Sequence, residues 1–289
     1  MDKQRLAAIL SRFPGVTILV MGDFFLDEYL IIEHALAERS LETGREAHQI
    51  VRIRCSPGAA GTVTSNLRAM DVAVLALGVI GDDGHGYELT RALKATGVDT
   101  SNVLVRADRF TPTYTKPMQR EADGSEHELD RLDVKNRTAP AGELDDEVIA
   151  RLRRLAPQVD AVVIADQVDE RNCGVITDRV RAELATLAAA HPHVVFAADS
   201  RQRIGLFRNV IIKPNAREAT RAVHPQMEEA LEGEALMACG HVLRERSGKP
   251  VFLTMGDKGI MVFHETGAVR VAAVPVTGPV TRIPREGLI

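Results

Sequence analysis

Five short apolar runs, each followed by polar residues, constrain the fold of this chain more than any other feature of its sequence. They cover residues 16–21, 161–165, 194–198, 210–212 and 251–253. Each run is rich in β-branched residues and apolar at both odd and even positions, which is typical of strands buried on both faces of a parallel sheet. Helical patterns lie between several of them, at residues 143–155, 175–190 and 227–246. This alternation predicts an α/β fold with a mostly parallel central sheet and helices on both faces.

The residues that end these runs are polar, and their side chains can bind a ligand through charges or hydrogen bonds. They are Asp23, Asp166, Asp199, Lys213 and Thr254. Because the carboxyl ends of parallel strands meet at one edge, and such edges bind ligands in open α/β sheets, this pattern indicates a site there. Turns also need polar residues, so any single strand end has a simpler explanation. The repetition over all five runs favours the binding site.

Two stretches, residues 28–57 and 109–134, do not follow this pattern. Their polar and apolar residues alternate, as in Thr113-Tyr-Thr-Lys-Pro-Met118 and Leu129-Asp-Arg-Leu-Asp133. A period of two with one polar face predicts exposed antiparallel strands outside the main sheet. We expect the two stretches to form a small β lid over the site, within a single domain that spans residues 1–289.

Composition excludes several classes of protein. The net charge is −4 and the basic residues are scattered, so nothing supports a nucleic-acid or anionic-membrane partner. No apolar run approaches the ~20 residues that span a bilayer. Three widely separated cysteines, Cys55, Cys173 and Cys239, favour reduced thiols over disulfides or a zinc site. These features predict a cytoplasmic protein.

Two glycine-containing segments precede predicted helices. Pro57-Gly-Ala-Ala-Gly-Thr-Val-Thr-Ser-Asn66 is a small-residue loop that enters a helix at about Thr62. It is either a tight helix entry or a place where a ligand approaches the backbone. Gly81-Asp-Asp-Gly-His-Gly86 lacks the Gly-x-Gly-x-x-Gly spacing of a dinucleotide site. It therefore predicts a turn, and an NAD-dependent oxidoreductase is disfavoured.

Three further groups of residues each have a structural and a functional interpretation. Asn215 and Glu218 are spaced either for a helix capping box or for Mg²⁺ and phosphate binding. Thr254, Gly256 and Gly259 predict a strand–turn–strand, either a plain hairpin or a place where backbone N–H groups meet phosphates. Asp23 and Asp27 either accept bonds from sugar hydroxyls or cap a loop.

The order of these pieces resembles the ribokinase-like (PfkB-type) carbohydrate kinases over about residues 17–279. Met21-Gly-Asp-Phe-Phe-Leu-Asp-Glu-Tyr29 is similar to the bacterial heptose-phosphate kinase branch. The remaining matching motifs are Gly58-Ala-Ala-Gly-Thr-Val-Thr-Ser-Asn66, Val79-Ile-Gly-Asp-Asp-Gly-His-Gly86, Asn215-Ala-Arg-Glu218 and Thr254-Met-Gly-Asp-Lys-Gly259. Ala59 stands where the family usually has its second glycine.

The resemblance implies a ribokinase-like fold, ATP and Mg²⁺ as cofactors, and a sugar or sugar phosphate as acceptor. It assigns the following residues to the acceptor: Asp23, Asp27, Gly58, Ala59, Asn66 and Arg131. It assigns Asn215, Thr254, Gly256 and Gly259 to the nucleotide, and Glu218 to the metal. Lid-mediated dimers occur in such families, so a homodimer is a further expectation.

The end of the sequence departs from this family. After Pro275-Val-Thr-Gly-Pro-Val280 the chain reads Thr281-Arg-Ile-Pro-Arg-Glu-Gly-Leu-Ile289, without the family's Gly-Ala-Gly-Asp and its catalytic base. A base contributes ~10²–10⁴ in rate and each oxyanion-type donor ~10²–10³. We therefore expect a catalytically crippled kinase. The alternatives are a non-catalytic sugar and nucleotide binder, and a gene product with an altered reading frame.

Overall fold

A computed structural model describes residues 2–121, 123–140 and 142–274. In chain order the strands are β1 (Thr17–Gly22), β2 (Phe24–Glu33), β3 (Glu38–Arg39), β4 (Glu46–Ala47), β5 (Ile50–Ala59), β6 (Ala73–Leu77), β7 (Val79–Gly81), β8 (Leu104–Arg106), β9 (Thr113–Arg120), β10 (Glu126–Glu128), β11 (Leu132–Val134), β12 (Ala161–Asp166), β13 (Val195–Ser200), β14 (Ile211–Ile212), β15 (Val251–Thr254), β16 (Ile260–His264) and β17 (Gly267–Val271). The α-helices are α1 (Lys3–Leu10), α2 (Ala60–Arg68), α3 (Gly84–Ala95), α4 (Gly142–Leu155), α5 (Asp178–Ala190), α6 (Ala216–Val223) and α7 (Gly233–Ser247).

The described residues form a main sheet of eight strands in the order β17-β16-β15-β14-β13-β12-β1-β6. Neighbours from β6 to β15 are parallel, and β16 is antiparallel to both β15 and β17. All five predicted runs are strands of this sheet, which confirms the predicted fold class. The sequence interpretation did not include β6, the edge strand beside β1.

Helices cover both faces of the main sheet and make it a three-layer structure. On one face, Leu152 of α4, Leu184 of α5 and Leu243 of α7 are fully buried in one apolar cluster with the sheet. On the other face, Leu89 and Leu93 of α3 pack in a second cluster with strand residues. Both faces of the central strands are therefore dry, which explains their apolar residues at odd and even positions.

Capping residues set where two helices begin. Thr177 accepts a hydrogen bond from the N–H of Val180, so α5 begins at Asp178 rather than at residue 175. The side chain of Asp83 accepts the N–H of Gly86 at 2.7 Å and begins α3 at Gly84. The predicted turn at residues 81–86 is thus a helix entry. At the other end of α7, Gly248 takes the left-handed conformation (φ 71°) in which glycine is favoured.

The two alternating stretches form a second sheet, which we call the lid sheet. Its order is β10-β9-β2-β5, with β11 also paired to β9. β2 begins at Phe24, earlier than predicted, because it continues almost directly from β1. β2 pairs antiparallel with β5, and β9 pairs antiparallel with β10 and β11, as predicted. The prediction is wrong for the pairing of β2 with β9, which is parallel. Phe24 and Leu26 of β2 are buried in the cluster around α3. Alternation of polar and apolar residues predicts a strand, but it does not predict the direction of the strand that pairs with it.

Among the described residues, no helix combines the length and the apolar character required to cross a membrane.

Candidate active site

The polar residues that end the central strands lie at one edge of the main sheet. The parallel ladder aligns β1 with β12, β12 with β13, and β14 with β15. Asp23 follows β1, Asp166 and Ser200 end β12 and β13, Lys213 follows β14, and Thr254 ends β15. The sheet thus gathers at one edge side chains that are far apart in the sequence, as the sequence predicts.

The two predicted nucleotide motifs adjoin each other at this edge. Asn215 and Thr254 form an isolated parallel bridge, and the N–H of Thr254 donates to the carbonyl of Pro214 at 2.9 Å. Both residues line an open cleft of about 960 Å³. Its apolar walls come from Leu231, Leu236, Met237, Met255 and Met261. A cleft with apolar walls and polar groups at one end has the size and composition of a small-molecule site.

Asn215 and Glu218 form a capping box at the start of α6. The N–H of Asn215 donates to Oε2 of Glu218 at 2.8 Å, and the N–H of Glu218 donates to Oδ1 of Asn215 at 2.9 Å. The helix-capping interpretation is therefore confirmed, and the phosphate and metal roles of the pair stay predictions. Burial raises the pKa of Glu218, the charge of Asp199 raises it further, and the bond from Asn215 opposes both. A divalent cation beside this carboxylate would stabilise its charged form and so offset the cost of burying that charge.

The turn after β15 depends on two glycines. Gly256 has φ 60° and begins a short 3₁₀ turn that ends at Lys258. Gly259 has φ 90°, and a Cβ there would lie 2.2 Å from the carbonyl oxygen of Val271. The N–H of Met255 closes the turn on the carbonyl of Gly259 at 2.8 Å. The predicted strand–turn–strand is present, and Gly256 lines the cleft beside Thr254.

Asp23 is buried and joins three parts of the structure. Its Oδ2 accepts the N–H groups of Gln167 and Val168 at 2.7 and 3.0 Å, and its Oδ1 accepts the N–H of Val175 at 2.8 Å. Its carbonyl accepts the N–H of Ala60, the first residue of α2, at 3.0 Å. Burial, followed by the charge of Asp166, raises the pKa of Asp23 to about 6 against these bonds. Asp23 thus anchors the loop after β12, and its contact with a sugar stays a prediction.

Asp27 and Gly58 lie together on the lid sheet with a lysine that the sequence interpretation missed. Oδ1 of Asp27 is 2.8 Å from Nζ of Lys116, which is also 3.2 Å from the hydroxyl of Tyr29. A Cβ at Gly58 would lie 2.4 Å from Oδ2 of Asp27, so only glycine leaves this oxygen room. Burial opposes the charge of Lys116, but the bonds to Asp27 and Tyr29 raise its pKa above the usual value. The alternation of Thr113-Tyr-Thr-Lys-Pro-Met118 was the only sequence signal for it.

Ala59 adopts a backbone conformation that favours glycine. It immediately precedes α2 with φ 54° and ψ −116°. A residue with a Cβ is strained there, typically by about 1–3 kcal/mol. This conformation explains in physical terms why the family usually has glycine at this position, where this chain has alanine.

Two predicted acceptor residues are not brought to Asp27. Asn66 lies on α2 and is exposed. Arg131 is paired with Asp133 at 2.6 and 2.9 Å, and its guanidinium carbon lies 4.2 Å from the centroid of the Tyr114 ring. Tyr114 on β9 is the register partner of Asp27 on β2. Arg131 therefore contacts the neighbour of Asp27 rather than Asp27 itself.

Comparison with known proteins decides the family. Residues 26–280 match the pfkB family carbohydrate kinases. The chain belongs to this family. Its members are phosphotransferases that use an alcohol group as acceptor, which confirms the class of enzyme expected from the motif order.

Curated relatives of this pfkB-family chain carry the name bifunctional protein HldE. The chain is 28% identical to that of Pelobacter propionicus over 273 residues, with 93% of the chain and 52% of the relative covered. It is 30% identical to that of Hyphomonas neptunium over 278 residues, with coverages of 92% and 54%. The chain therefore spans about half the length of the curated relatives it matches.

Solved structures of the pfkB-family type share the fold. Escherichia coli phosphofructokinase-2 in complex with fructose-6-phosphate matches with a TM-score of 0.62 at 16% identity, covering 91% of this chain and 82% of that one. Arabidopsis thaliana ribokinase complexed with ribose and ATP matches with a TM-score of 0.60 at 16% identity, covering 91% and 80%. These likenesses confirm the ribokinase-like fold. The departure from Gly-Ala-Gly-Asp falls at residues 281–289, outside the described residues.

We expect Ala59→Gly to stabilise the protein by about 1 kcal/mol, because it releases more strain than the added chain entropy costs. Urea unfolding followed by circular dichroism measures the change. Ala60→Gly is the matched control, since Ala60 is buried and has no positive φ. It should destabilise the protein. A stability loss in Ala59→Gly would contradict the assigned strain.

The raised pKa of Asp23 predicts a pH dependence of stability. The native state holds a proton to about pH 6 and the unfolded state loses it near 3.8, so this group's contribution falls as pH rises between these values. The unfolding free energy of the wild type minus that of Asp23→Asn should fall by about 2 kcal/mol from about pH 4 to about pH 7. Urea unfolding across this range measures it. A difference that grows with pH would contradict the direction.

Proposed function

We propose that this chain binds a nucleoside triphosphate with Mg²⁺ and a phosphorylated sugar, with a heptose phosphate as the leading acceptor. The observation that carries the proposal is the bridge between Asn215 and Thr254, which joins both nucleotide motifs at one cleft. The likeness to bifunctional HldE proteins supports the choice of sugar class.

On the nucleotide side, the base would lie against the apolar wall and the phosphates would lie toward the turn at residues 254–259. Among the described residues no group of three or more His, Cys, Asp or Glu side chains could hold a metal. Mg²⁺ fits this poor donor set, because it keeps several waters and takes few carboxylates together with substrate phosphates. Glu218 would hold the hydrated ion, which would neutralise phosphate charge when bound. Lys213 lies near Glu218 and adds positive charge on the same side.

On the acceptor side, Asp27 and Lys116 would hold the sugar under the lid sheet. Oδ1 of Asp27 is taken by Lys116, and within the described part of the chain Oδ2 accepts no hydrogen bond, so it can accept one from a sugar hydroxyl. The ammonium of Lys116 has one N–H donor beyond the two used on Asp27 and Tyr29, and it suits a hydroxyl or phosphate oxygen. Arg131, on the neighbouring ring of Tyr114, would add a second cation.

The sequence after Val280 bears on the rate of the reaction rather than on binding. Residues 281–289 contain Glu286 as their only carboxylate-bearing side chain and no Gly-Ala-Gly-Asp. A chain of this sequence would bind both ligands and transfer the phosphoryl group slowly, since the expected base and N–H donors both contribute to rate. A sugar and nucleotide binder without turnover is the second candidate, and the same observation favours it.

An ADP-release assay over a panel of sugars and sugar phosphates, combined with calorimetric titration, tests the proposal. We expect binding of a heptose phosphate and of a non-hydrolysable ATP analogue, with turnover at least ~10²-fold below the usual ~1–100 s⁻¹ of kinases. Ordinary turnover would contradict the predicted loss of catalysis. Absence of binding to every member of the panel would contradict the proposed function itself.

Lys116→Met should weaken heptose-phosphate binding by roughly tenfold or more, because a charge-assisted hydrogen bond is lost. Binding of the ATP analogue should stay unchanged, since Lys116 is not among the residues that line the cleft. Lys94→Met is the matched control on the exposed last turn of α3. Equal losses for sugar and nucleotide would indicate a folding defect and refute the assigned role.

A further inference from the structure

Arg203 is a buried arginine that the proposed site does not include. It lies after β13 with 9% of its surface exposed. Its Nη2 and Nε donate to the two carboxylate oxygens of Asp166 at 2.8 and 3.3 Å. The hydroxyl of Ser200 donates to Oδ2 of the same aspartate at 2.6 Å. Asp166 and Arg203 therefore form a fixed ion pair at the edge of the main sheet.

The same guanidinium also holds the loop that follows β12. Nη1 donates to the carbonyl of Asp169 at 2.9 Å, and Nη2 donates to the carbonyl of Val168. A planar guanidinium can make these bonds and the pair with Asp166 at once, because its five donors point in fixed directions. A lysine at this position lacks that geometry.

The opposite side of this loop holds Asp23. Val168 is thus bonded twice: its N–H donates to Asp23 at 3.0 Å and its carbonyl accepts from Arg203. The carbonyl of Asp23 in turn accepts the N–H of Ala60. Ala60 directly follows β5, and Gly58 of this strand lies against Asp27. A continuous series of bonds therefore runs from Arg203 through the loop and Asp23 to the proposed acceptor side.

We infer that Arg203 is a positioning residue for the acceptor: it orders the loop at residues 167–169, and through Asp23 it sets the backbone beside Gly58 and Asp27. The consequence for acceptor binding rests on the proposed function. Among the interactions of the residues that the structure describes, Arg203 bonds neither the capping box nor the turn at residues 254–259. The inference therefore separates acceptor binding from nucleotide binding.

Amide hydrogen exchange and calorimetry on the full chain test this inference together. In Arg203→Met we expect the amides of Gln167, Val168 and Val175 to exchange roughly tenfold faster or more, while those of α6 keep their wild-type protection. The Kd for a heptose phosphate should rise by roughly tenfold or more, because displacement of the backbone beside Gly58 and Asp27 weakens hydrogen bonds to the sugar. The Kd for a non-hydrolysable ATP analogue should stay within about twofold of wild type.

Control variants separate positioning from general stability. Arg208→Met removes an arginine of the same segment that donates to the carbonyls of Gly205 and Phe207, away from the loop. It should leave loop exchange and both affinities at wild-type values. Arg203→Lys should show an intermediate loss. In Arg203→Met the buried Asp166 carboxylate loses its arginine partner, and the double variant Asp166→Asn with Arg203→Met removes that negative charge as well. The double variant should fold, and it should still lose the hydrogen-exchange protection of the loop and the affinity for the acceptor.

Three outcomes would overturn the inference: wild-type exchange of the loop amides in folded Arg203→Met or in the double variant, faster exchange by the same factor throughout the chain, or equal losses of sugar and nucleotide binding. If wild type binds no heptose phosphate, the proposed function fails. The exchange comparison then decides by itself whether Arg203 orders the loop.

Discussion

The parallel hydrogen-bond ladder from β6 to β15 is the constraint on which the rest of this structure depends. Its six strands run in one direction, so their carboxyl ends meet at one edge. Helices bury both faces of these strands, and uncompensated polar groups are costly there. Polar chemistry is consequently confined to the residues at or just past the strand ends, as at Thr254 and Asp23.

Buried charge organises the acceptor half of this edge. The Asp23 carboxylate accepts three backbone N–H bonds from the loop after β12. Arg203, which is paired with Asp166, donates to two carbonyls of the same loop from its other side. Such an arrangement costs desolvation and contributes rigidity, because each buried charge requires its partners in place. The nucleotide half is built differently, from a capping box, a glycine turn and apolar walls. The two halves therefore respond to different substitutions.

The candidate site was predictable where its interactions are local. Asn215 and Glu218 are three residues apart, and their spacing alone predicts the reciprocal bonds that the structure contains. Lys116 was missed because its partner Asp27 lies 89 residues away, and no local pattern reports such a pair. The parallel pairing of β2 with β9 was missed for the same reason. Asp23 was predicted as a polar strand end, but its bonds to Gln167 and Val168 required the folded loop.

The sequence by itself determined five of the six parallel strands of the main sheet, most helix positions, the motif order and hence the family, because burial and capping leave periodic or short-range patterns. Only the tertiary structure decided that Asn215 and Thr254 adjoin, that Asp27 pairs with Lys116, and that Ala59 is held at positive φ. These features arise from contacts between segments far apart in the chain. Their free energy depends on the packing of the whole sheet and its helices, which no local window of sequence contains.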